Sequence, residues 1–264
     1  MSVRSALAHR NLLYLLSLKE LRTRYRQSLL GWAWSLLNPL SQMVIFSIIF
    51  IYVFKQEPPV GANGIQVFPL YFLVGLIPFQ FFSISVTAAM GAVQGGSSLI
   101  KKVAFPHEHL VFSVIIAQFV TMLIEFGVLT VAFLIAGTMP LPWLPVLFLL
   151  LFIIALFTTG VALALSAANV FFHDVNYLWS ILSQVLFYST PIIYVARNIE
   201  VDWLRGVTNW GPTGSFVRAS HEIMYEQRMP GFGRWAHLLV IALVTFAIGA
   251  WIFDRLSPKF AEEL

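Results

Sequence analysis

The sequence has no cysteine among its 264 residues, and charged residues make up only 11% of it. Without cysteine the chain can form no disulfide, no thiolate nucleophile and no cysteine-ligated metal site. A soluble domain of this length carries roughly a quarter charged residues. The polar surface is therefore too small to cover a water-soluble globule.

Motifs for nucleotide hydrolysis, metal binding and nucleic-acid binding are missing too. No G-x-x-x-x-G-K-S/T phosphate loop occurs, so the chain cannot hydrolyse ATP by that route. His107, Glu108 and His109 form one polar cluster and His173 with Asp174 another, but neither has further ligands at helical spacing. We therefore predict no metal site and no catalytic residue. The net charge of +4 sits in short flanks between apolar blocks, which is typical of topology signals, and we expect no nucleic-acid partner.

Long apolar blocks dominate what is present, since 59% of the residues are hydrophobic and the mean hydropathy is +0.82. Crossing a hydrocarbon core of roughly 30 Å takes about 20 residues of helix. Continuous apolar runs exclude the alternating pattern of a membrane barrel. The sequence therefore predicts an all-α membrane protein with six transmembrane helices, at 36–54, 68–94, 110–137, 143–170, 177–195 and 235–253.

The positions of Lys and Arg predict the orientation of these blocks. With the N-terminus inside, ten of the 16 basic residues fall in inner segments, and six of them precede the first block. This bias puts both termini in the cytoplasm. No A-x-A-like cleavage site precedes the first block, so we expect the N-terminal segment to be retained. The predicted organisation is one domain, 1–264, with a cytoplasmic interfacial segment at 1–35, six spans over 36–253 and a cytoplasmic tail at 254–264.

The segment ahead of the first block has the spacing of an amphipathic helix. Apolar residues recur at steps of four or three and so share one helical face: Tyr14, Leu18, Leu21, Tyr25 and Leu29. Such a basic helix lies in the headgroup plane of the membrane. Its predicted interfacial residues are Lys19, Arg22, Arg24, Tyr25 and Arg26. The alternative is a plain positive-inside anchor without another role.

A second short helix is predicted on the cytoplasmic side, over residues 97–106. Serine caps its start and proline stops it. Its apolar residues are too many for an idle solvated loop, so we expect them to dock into a cleft on a partner protein, with two lysines at the rim. The predicted docking residues are Ser98, Leu99, Ile100, Lys101, Lys102, Val103, Phe105 and Pro106. The alternative is a loop folded back onto the bilayer surface.

Aromatic residues make up 15% of the chain and crowd the second, fourth and fifth blocks. Lipid-facing bulk and an interfacial belt account for many of them. The remainder suit a passage for a sliding polymer, because aromatic faces offer apolar contact to the C–H surfaces of sugars. The channel-lining candidates are Phe72, Phe79, Phe82, Trp179, Phe187 and Tyr188.

Two features inside the blocks point to helix packing. Glu125 is the only charged residue deep within a block, whereas a proton relay or cation site normally needs more than one such group. A neutral or hydrogen-bonded carboxyl within helix packing is the better interpretation. Gly91 and Gly95 form a G-x-x-x-G pair, which lets two helices approach closely. Alone this pair is a weak signal, and ordinary packing is favoured.

Four separated motifs resemble the permease subunits of type-2 ABC exporters for polysaccharides, a family that exports O-antigen, teichoic acid and capsule. The motifs are LKELRTRYRQSLLGWAWSLLNPL at 18–40, LIKKVAFPHE at 99–108, NVFFHDV at 169–175 and TPIIY at 190–194. The four motifs occur in the same order as in the family and extend along the whole chain. A chance match at one motif therefore does not explain the similarity.

The resemblance implies a function and a set of partners. The chain would be the permease subunit that moves a lipid-linked polysaccharide across the bacterial cytoplasmic (inner) membrane, as a homodimer with two copies of an ABC ATP-binding subunit. ATP and Mg would be bound by that subunit, and this chain would hold no cofactor. Residues 97–106 would be the cytoplasmic coupling helix. The long outer loop would form re-entrant outer gate helices between spans 5 and 6, with Trp203, Trp210, Phe216 and Met224 at the gate.

Two other functions stay open on the sequence. A small-molecule or drug efflux permease shares the architecture, but such relatives often have longer outer domains and lack the aromatic excess found here. A membrane-embedded enzyme of the glycosyltransferase type needs convergent carboxylates, histidines or a metal site at the membrane face. Glu108 and Asp174 are isolated in the sequence, which counts against that class.

Overall fold

Helices form the regular structure of the chain in the computed structural model, which describes residues 10–25, 33–53, 59–102, 105–194 and 201–263. Within these ranges there is no β-strand. The prediction of an all-helical membrane chain is confirmed. Two of the predicted site residues, Arg26 and Val103, lie outside the described residues.

Long helices alternate with short ones along the described chain. In order they are α1 (Arg10–Tyr25), α2 (Ala33–Ser47), α3 (Phe68–Gly95), α4 (Ser97–Lys102), α5 (Glu108–Ile135), α6 (Leu144–Phe171), α7 (Val175–Ser189), α8 (Asp202–Trp210), α9 (Pro212–Ser220), α10 (Phe232–Leu256) and α11 (Phe260–Glu263). Two π-helical turns extend helices, Ile48–Val53 after α2 and His221–Tyr225 after α9. Short 3-10 turns lie at Ala62–Gly64, Leu141–Trp143 and Ser257–Lys259.

Four stretches among the described residues are long and apolar enough to cross a membrane: Phe68–Gly95, Glu108–Ile135, Leu141–Phe171 and Phe232–Glu263. The other two predicted spans are less regular. Helix α7 has 15 residues, about 22 Å at 1.5 Å per residue, which is shorter than the hydrocarbon core. In the first predicted span, helix α2 ends at Ser47 and is followed by the π-helical turn Ile48–Val53. Six crossings therefore stay a prediction.

A tight turn joins α5 to α6, as the sequence predicts at 138–142. Gly137 takes a φ of 84°, the left-handed conformation that commonly ends a helix and that glycine adopts without strain. The Thr138 hydroxyl donates a hydrogen bond to the Phe133 carbonyl at 3.0 Å. Pro140 and Pro142 then prevent the helix from continuing, so α5 and α6 run as antiparallel neighbours.

Helix α3 lies at the centre of the bundle. It packs against α5 and α6 along its length and also contacts α2, α7 and α9, and most of its residues are buried. Helix α1 lies along α5, and α10 packs mainly against α6. Much of α10 and one face of α7 carry exposed apolar side chains, as expected for surfaces that meet lipid or another subunit.

Two glycines set the close contact between α6 and α10. A Cβ added to Gly249 would lie 1.9 Å from the carbonyl oxygen of Gly160, and one added to Gly160 would lie 2.5 Å from the backbone of Thr245. Small residues of this kind let helix backbones approach closely in membranes. By contrast, a Cβ on Gly91 or Gly95 would meet nothing within 4 Å, so that pair is not a close-packing site among the described residues.

Candidate functional site

Two short helices, α8 and α9, lie in the segment that the sequence predicts to be the long outer loop, and we call them the outer pair. They meet so closely at their turn that a Cβ on Gly214 would lie 1.8 Å from the Thr208 carbonyl oxygen. The Thr190 hydroxyl, beyond the end of α7, donates to the Thr213 hydroxyl at 2.8 Å. The long outer loop of the sequence is thus largely helical, as the family resemblance implies.

A buried carboxylate holds the outer pair to the rest of the bundle. Glu222 has a side chain only 5% exposed and is surrounded by three arginines from different elements. Its Oε1 lies 3.5 Å from Arg218 Nε and 3.0 Å from an Arg228 guanidinium nitrogen, and its Oε2 lies 3.4 Å from Arg234 Nε. Arg228 also pairs with Glu226. Because α9, the loop after it and α10 all reach this carboxylate, we call it the outer latch.

Cation and ring contacts extend the latch to α8. The Arg234 guanidinium lies over the Trp210 ring at 5.8 Å from its centroid, within the range of a cation–π contact. His237 meets the same ring edge-on at 5.2 Å, and its Nε2 lies 3.0 Å from the Trp210 carbonyl oxygen. Arg218 donates to the Asn209 side-chain oxygen at 2.8 Å. The end of α8 is therefore fixed by both α9 and α10.

The π-helical turn after α9 packs against the start of α3. The His221 ring stacks on Tyr71 at 4.0 Å with an interplanar angle of 5°, and its Nε2 lies 2.9 Å from the Tyr71 carbonyl oxygen. That oxygen can only accept, so Nε2 carries the proton. A side chain on Gly75 would meet the His221 ring at 3.1 Å. Burial lowers the pKa of His221 to about 4, so the imidazole is neutral at this contact.

Tyr225 joins the same turn to the loop between α2 and α3. Its hydroxyl donates to the Pro59 carbonyl oxygen at 3.0 Å and lies 3.3 Å from the Ile65 carbonyl oxygen. The Val67 N–H donates to that hydroxyl at 3.3 Å. The ring itself is buried and meets Tyr71 edge-on at 5.3 Å.

The four predicted gate residues divide between surface and interior. Trp203 is 71% exposed and Trp210 is exposed as well. Phe216 and Met224 are buried, and Phe216 meets Phe157 of α6 at 5.2 Å between ring centroids. The two tryptophans therefore lie on the exposed surface of the outer pair, while the two buried residues pack against the rest of the bundle.

The predicted channel-lining aromatics lie mostly inside the chain's own core. Phe72, Phe79, Phe82 and Trp179 are buried and Phe187 is half-buried. Their rings contact one another edge to face, with Phe79 and Phe187 5.5 Å apart and Phe82 and Trp179 5.4 Å apart. The Trp179 indole N–H donates to the Thr87 hydroxyl of α3 at 3.0 Å. This ring cluster ties α7 to α3.

Tyr188 is the exception, since it is 60% exposed. It shares one face of α7 with three other exposed polar or aromatic residues at helical spacing, and we call this face the α7 stripe: Tyr177, Ser180, Gln184 and Tyr188. Polar side chains on a helix at membrane depth normally face a water-filled cavity or another protein surface. Tyr177, Ser180 and Gln184 are not among the predicted site residues, although the recurrence of polar residues inside an apolar block could have revealed them.

The predicted coupling segment is only partly available to a partner. Ile100 and Phe105 are buried in the chain and Leu99 is half-buried, whereas Ser98 and Lys101 are exposed. Pro106 is half-buried after the end of α4. The apolar residues therefore anchor α4 to the bundle, and the polar side faces outward. Lys102 belongs to the same helix.

Helix α1 uses another face for packing than the one its apolar spacing indicates. Leu16 and Ser17 are buried, while Tyr14 is exposed, and α1 packs against α5. Lys19 and Arg22 are exposed, and the predicted residues Arg24 and Tyr25 complete the helix. The outward tyrosine and basic residues suit an interfacial helix.

Comparison with known proteins identifies the family. Residues 11–225 match the family model described as ABC-2 type transporter, in its membrane component. The chain is 31% identical over 264 residues to the O-antigen export system permease protein RfbA of Myxococcus xanthus, which covers 99% of this chain and 98% of the relative. A Klebsiella pneumoniae protein of the same name is 28% identical, covering 96% and 95%, and the polysialic acid transport protein KpsM of Escherichia coli is 22% identical, covering 90% of both. The chain therefore belongs to the ABC-2 type transporter membrane family.

Proposed function

We propose that this chain is the permease subunit of an ABC exporter that moves a lipid-linked polysaccharide across the inner membrane. The observation that carries the proposal is end-to-end similarity to an O-antigen export permease, 99% of one chain against 98% of the other. The multi-pass helical architecture and the aromatic content of 15% support it.

Six crossings would complete this architecture, with both termini in the cytoplasm. Helix α2 and its π-helical turn together cover residues 33–53, about 30 Å of helix, and α7 would be the fifth, short crossing. The working unit would be a homodimer with two copies of an ABC ATP-binding subunit. ATP and Mg would bind in that subunit, whose closure would push on α4 and shift the helices around a passage at the two-fold axis.

The α7 stripe would line that passage. Exposed tyrosines give apolar contact to sugar C–H surfaces, and Ser180 and Gln184 give hydrogen bonds that are easily exchanged as a polymer slides. The buried aromatics Phe79, Phe82 and Trp179 would support this wall from behind, because they pack α7 onto α3. The outer pair would gate the exit, with Trp203 and Trp210 at its surface.

Mutation of the α7 stripe tests the proposal. In cells with the exporter as their only route for a surface polysaccharide, Tyr188→Ala and Gln184→Ala should slow export while membrane levels of the protein stay unchanged. Leu178→Ala is the matched control, because Leu178 is as exposed as Tyr188 on the same helix but lies off the stripe. The measurement is surface polysaccharide per unit of permease. Equal export by Tyr188→Ala, Gln184→Ala and Leu178→Ala would remove the stripe from the passage.

A second experiment tests the partner. Deleting residues 99–105 should abolish co-purification with the exporter's ATP-binding subunit, while the wild-type chain retains it. An ATP-binding subunit that stays bound to the deletion variant would overturn the coupling role. Loss of all surface polysaccharide when the ATP-binding subunit is inactivated, with permease present, would support ATP-driven export.

A further inference from the structure

The C-terminal tail contains a buried aromatic residue. After the 3-10 turn Ser257–Lys259, which contains Pro258, the chain continues as the short helix α11 and buries Phe260 completely, at 0% exposure. The Phe260 ring meets Phe253 of α10 edge-on at 5.4 Å and Phe171 of α6 at 6.2 Å. A solvated, disordered tail does not bury a phenylalanine side chain, so this tail is packed against the helices of the bundle.

Ring contacts connect the tail to the coupling segment. His107 stacks on Phe260 at 5.9 Å with an interplanar angle of 22°, and it meets Phe105 edge-on at 5.4 Å. Helix α11 also contacts α4 directly. Phe105 and Ile100 are buried, so the inner side of α4 and the tail share one apolar base. We call α4 and α11 together the coupling platform.

The exposed face of the coupling platform carries charged side chains. Lys101 of α4 is exposed, and so are Lys259, Glu262 and Glu263 of the tail. The two acidic residues thus belong to the helix that contacts α4, which carries the exposed lysine. A partner that fits this surface carries basic side chains opposite the glutamates and an acidic side chain opposite Lys101.

We propose that the C-terminal tail is part of the surface on which the ATP-binding subunit sits, and that Phe260 is the positioning residue that makes α4 and α11 move as one unit. This inference rests on the proposed function, because it takes the partner to be the ATP-binding subunit. It adds a second contact to the coupling segment. It also gives a physical route from that contact to the spans, since Phe260 touches both α6 and α10.

Charge reversal tests the contact without disturbing the fold, because the residues involved are exposed. Glu262→Lys with Glu263→Lys should raise the Kd for the ATP-binding subunit about tenfold at low salt, with a smaller difference at high salt. Asp202→Lys is the control for a charge reversal away from the coupling platform, since that residue is exposed in α8; it should leave the Kd unchanged. An unchanged Kd in the doubly reversed variant would overturn the contact.

Substitution of Phe260 tests the positioning role. In the assembled complex, Phe260→Ala should retain ATP hydrolysis but export several-fold less polysaccharide per ATP hydrolysed, and Phe260→Leu should restore much of that ratio. A merely structural role would lower hydrolysis and export together with the amount of folded protein, and that outcome would refute the positioning role. If the wild-type chain recruits no ATP-binding subunit, the proposed function fails; if it does and all tail variants behave as wild type, only this inference fails.

Discussion

Replacing Gly249 by alanine is expected to force α6 and α10 apart. The new Cβ would lie 1.9 Å from the Gly160 carbonyl oxygen and 2.7 Å from its carbon. Both atoms belong to backbone, so no flexible side chain can move away. A tolerable C···O contact is about 3.3 Å, and the two helices must therefore separate locally by roughly 1.4 Å.

The expected cost follows from that displacement. Overpacking of a well-packed interior typically costs 1–3 kcal/mol, and here a rigid carbonyl is the obstacle, so we expect about 3 kcal/mol. The change also removes a helix-interior glycine, which by itself would stabilise α10 by about 1 kcal/mol. A net loss of about 2 kcal/mol corresponds to a fall in the thermal midpoint of roughly 4–8 °C for a chain of this size.

The assay is thermal stability of the purified permease in detergent, followed by size-exclusion chromatography after heating. Gly91→Ala and Gly95→Ala are the matched controls, since both lie in a helix and neither Cβ would meet an atom within 4 Å. They should keep or slightly raise the midpoint. Gly160→Ala should behave like Gly249→Ala, because its Cβ would lie 2.5 Å from the Thr245 backbone. A Gly249→Ala midpoint equal to that of Gly91→Ala would refute the packing argument.

Two further predictions concern the outer end. Glu222→Ala should lower stability by about 3 kcal/mol, because it leaves three arginines facing one another without their shared carboxylate; Asp202→Ala, which breaks an exposed pair with Arg205, should have almost no effect on the same melting measurement. Stability should also fall as the pH drops from 6.5 towards 4, since burial lowers the pKa of His221 to about 4 and only the unfolded chain takes up a proton in that window. His221→Asn should reduce this pH dependence, and an identical profile in that variant would contradict the assignment.

Much of the architecture follows from the sequence, because apolar length alone determines where helices can cross a membrane. The second, third, fourth and sixth predicted blocks correspond to α3, α5, α6 and α10 within a few residues. The turn at 138–142 followed from its prolines. The fifth predicted block contains a helix of only 15 residues. Hydropathy could not reveal that the helix ends at Ser189, because most of the residues that follow are still apolar.

Contacts between distant segments could not be predicted. Gly160 and Gly249 belong to different helices and form no local motif, whereas Gly91 and Gly95 match a motif, yet a Cβ on either would meet no atom of the described residues within 4 Å. The burial of the predicted channel aromatics has the same origin, since composition does not tell which side of a helix meets another helix. The outer latch was missed because its carboxylate and its arginines are spread over residues 218–234 and are brought together by three separate elements.

The Tyr225 hydroxyl constrains how the proposed exit could widen. It bonds backbone groups of Pro59 and Val67, so the short loop at 59–67 and the turn at 221–225 behave as a single collar around the end of α3. Lifting either piece alone breaks those bonds. In the proposed exporter, the collar would therefore have to swing as a whole with α3 for the exit to widen, and the angle through which that helix can lean would limit the girth of the cargo.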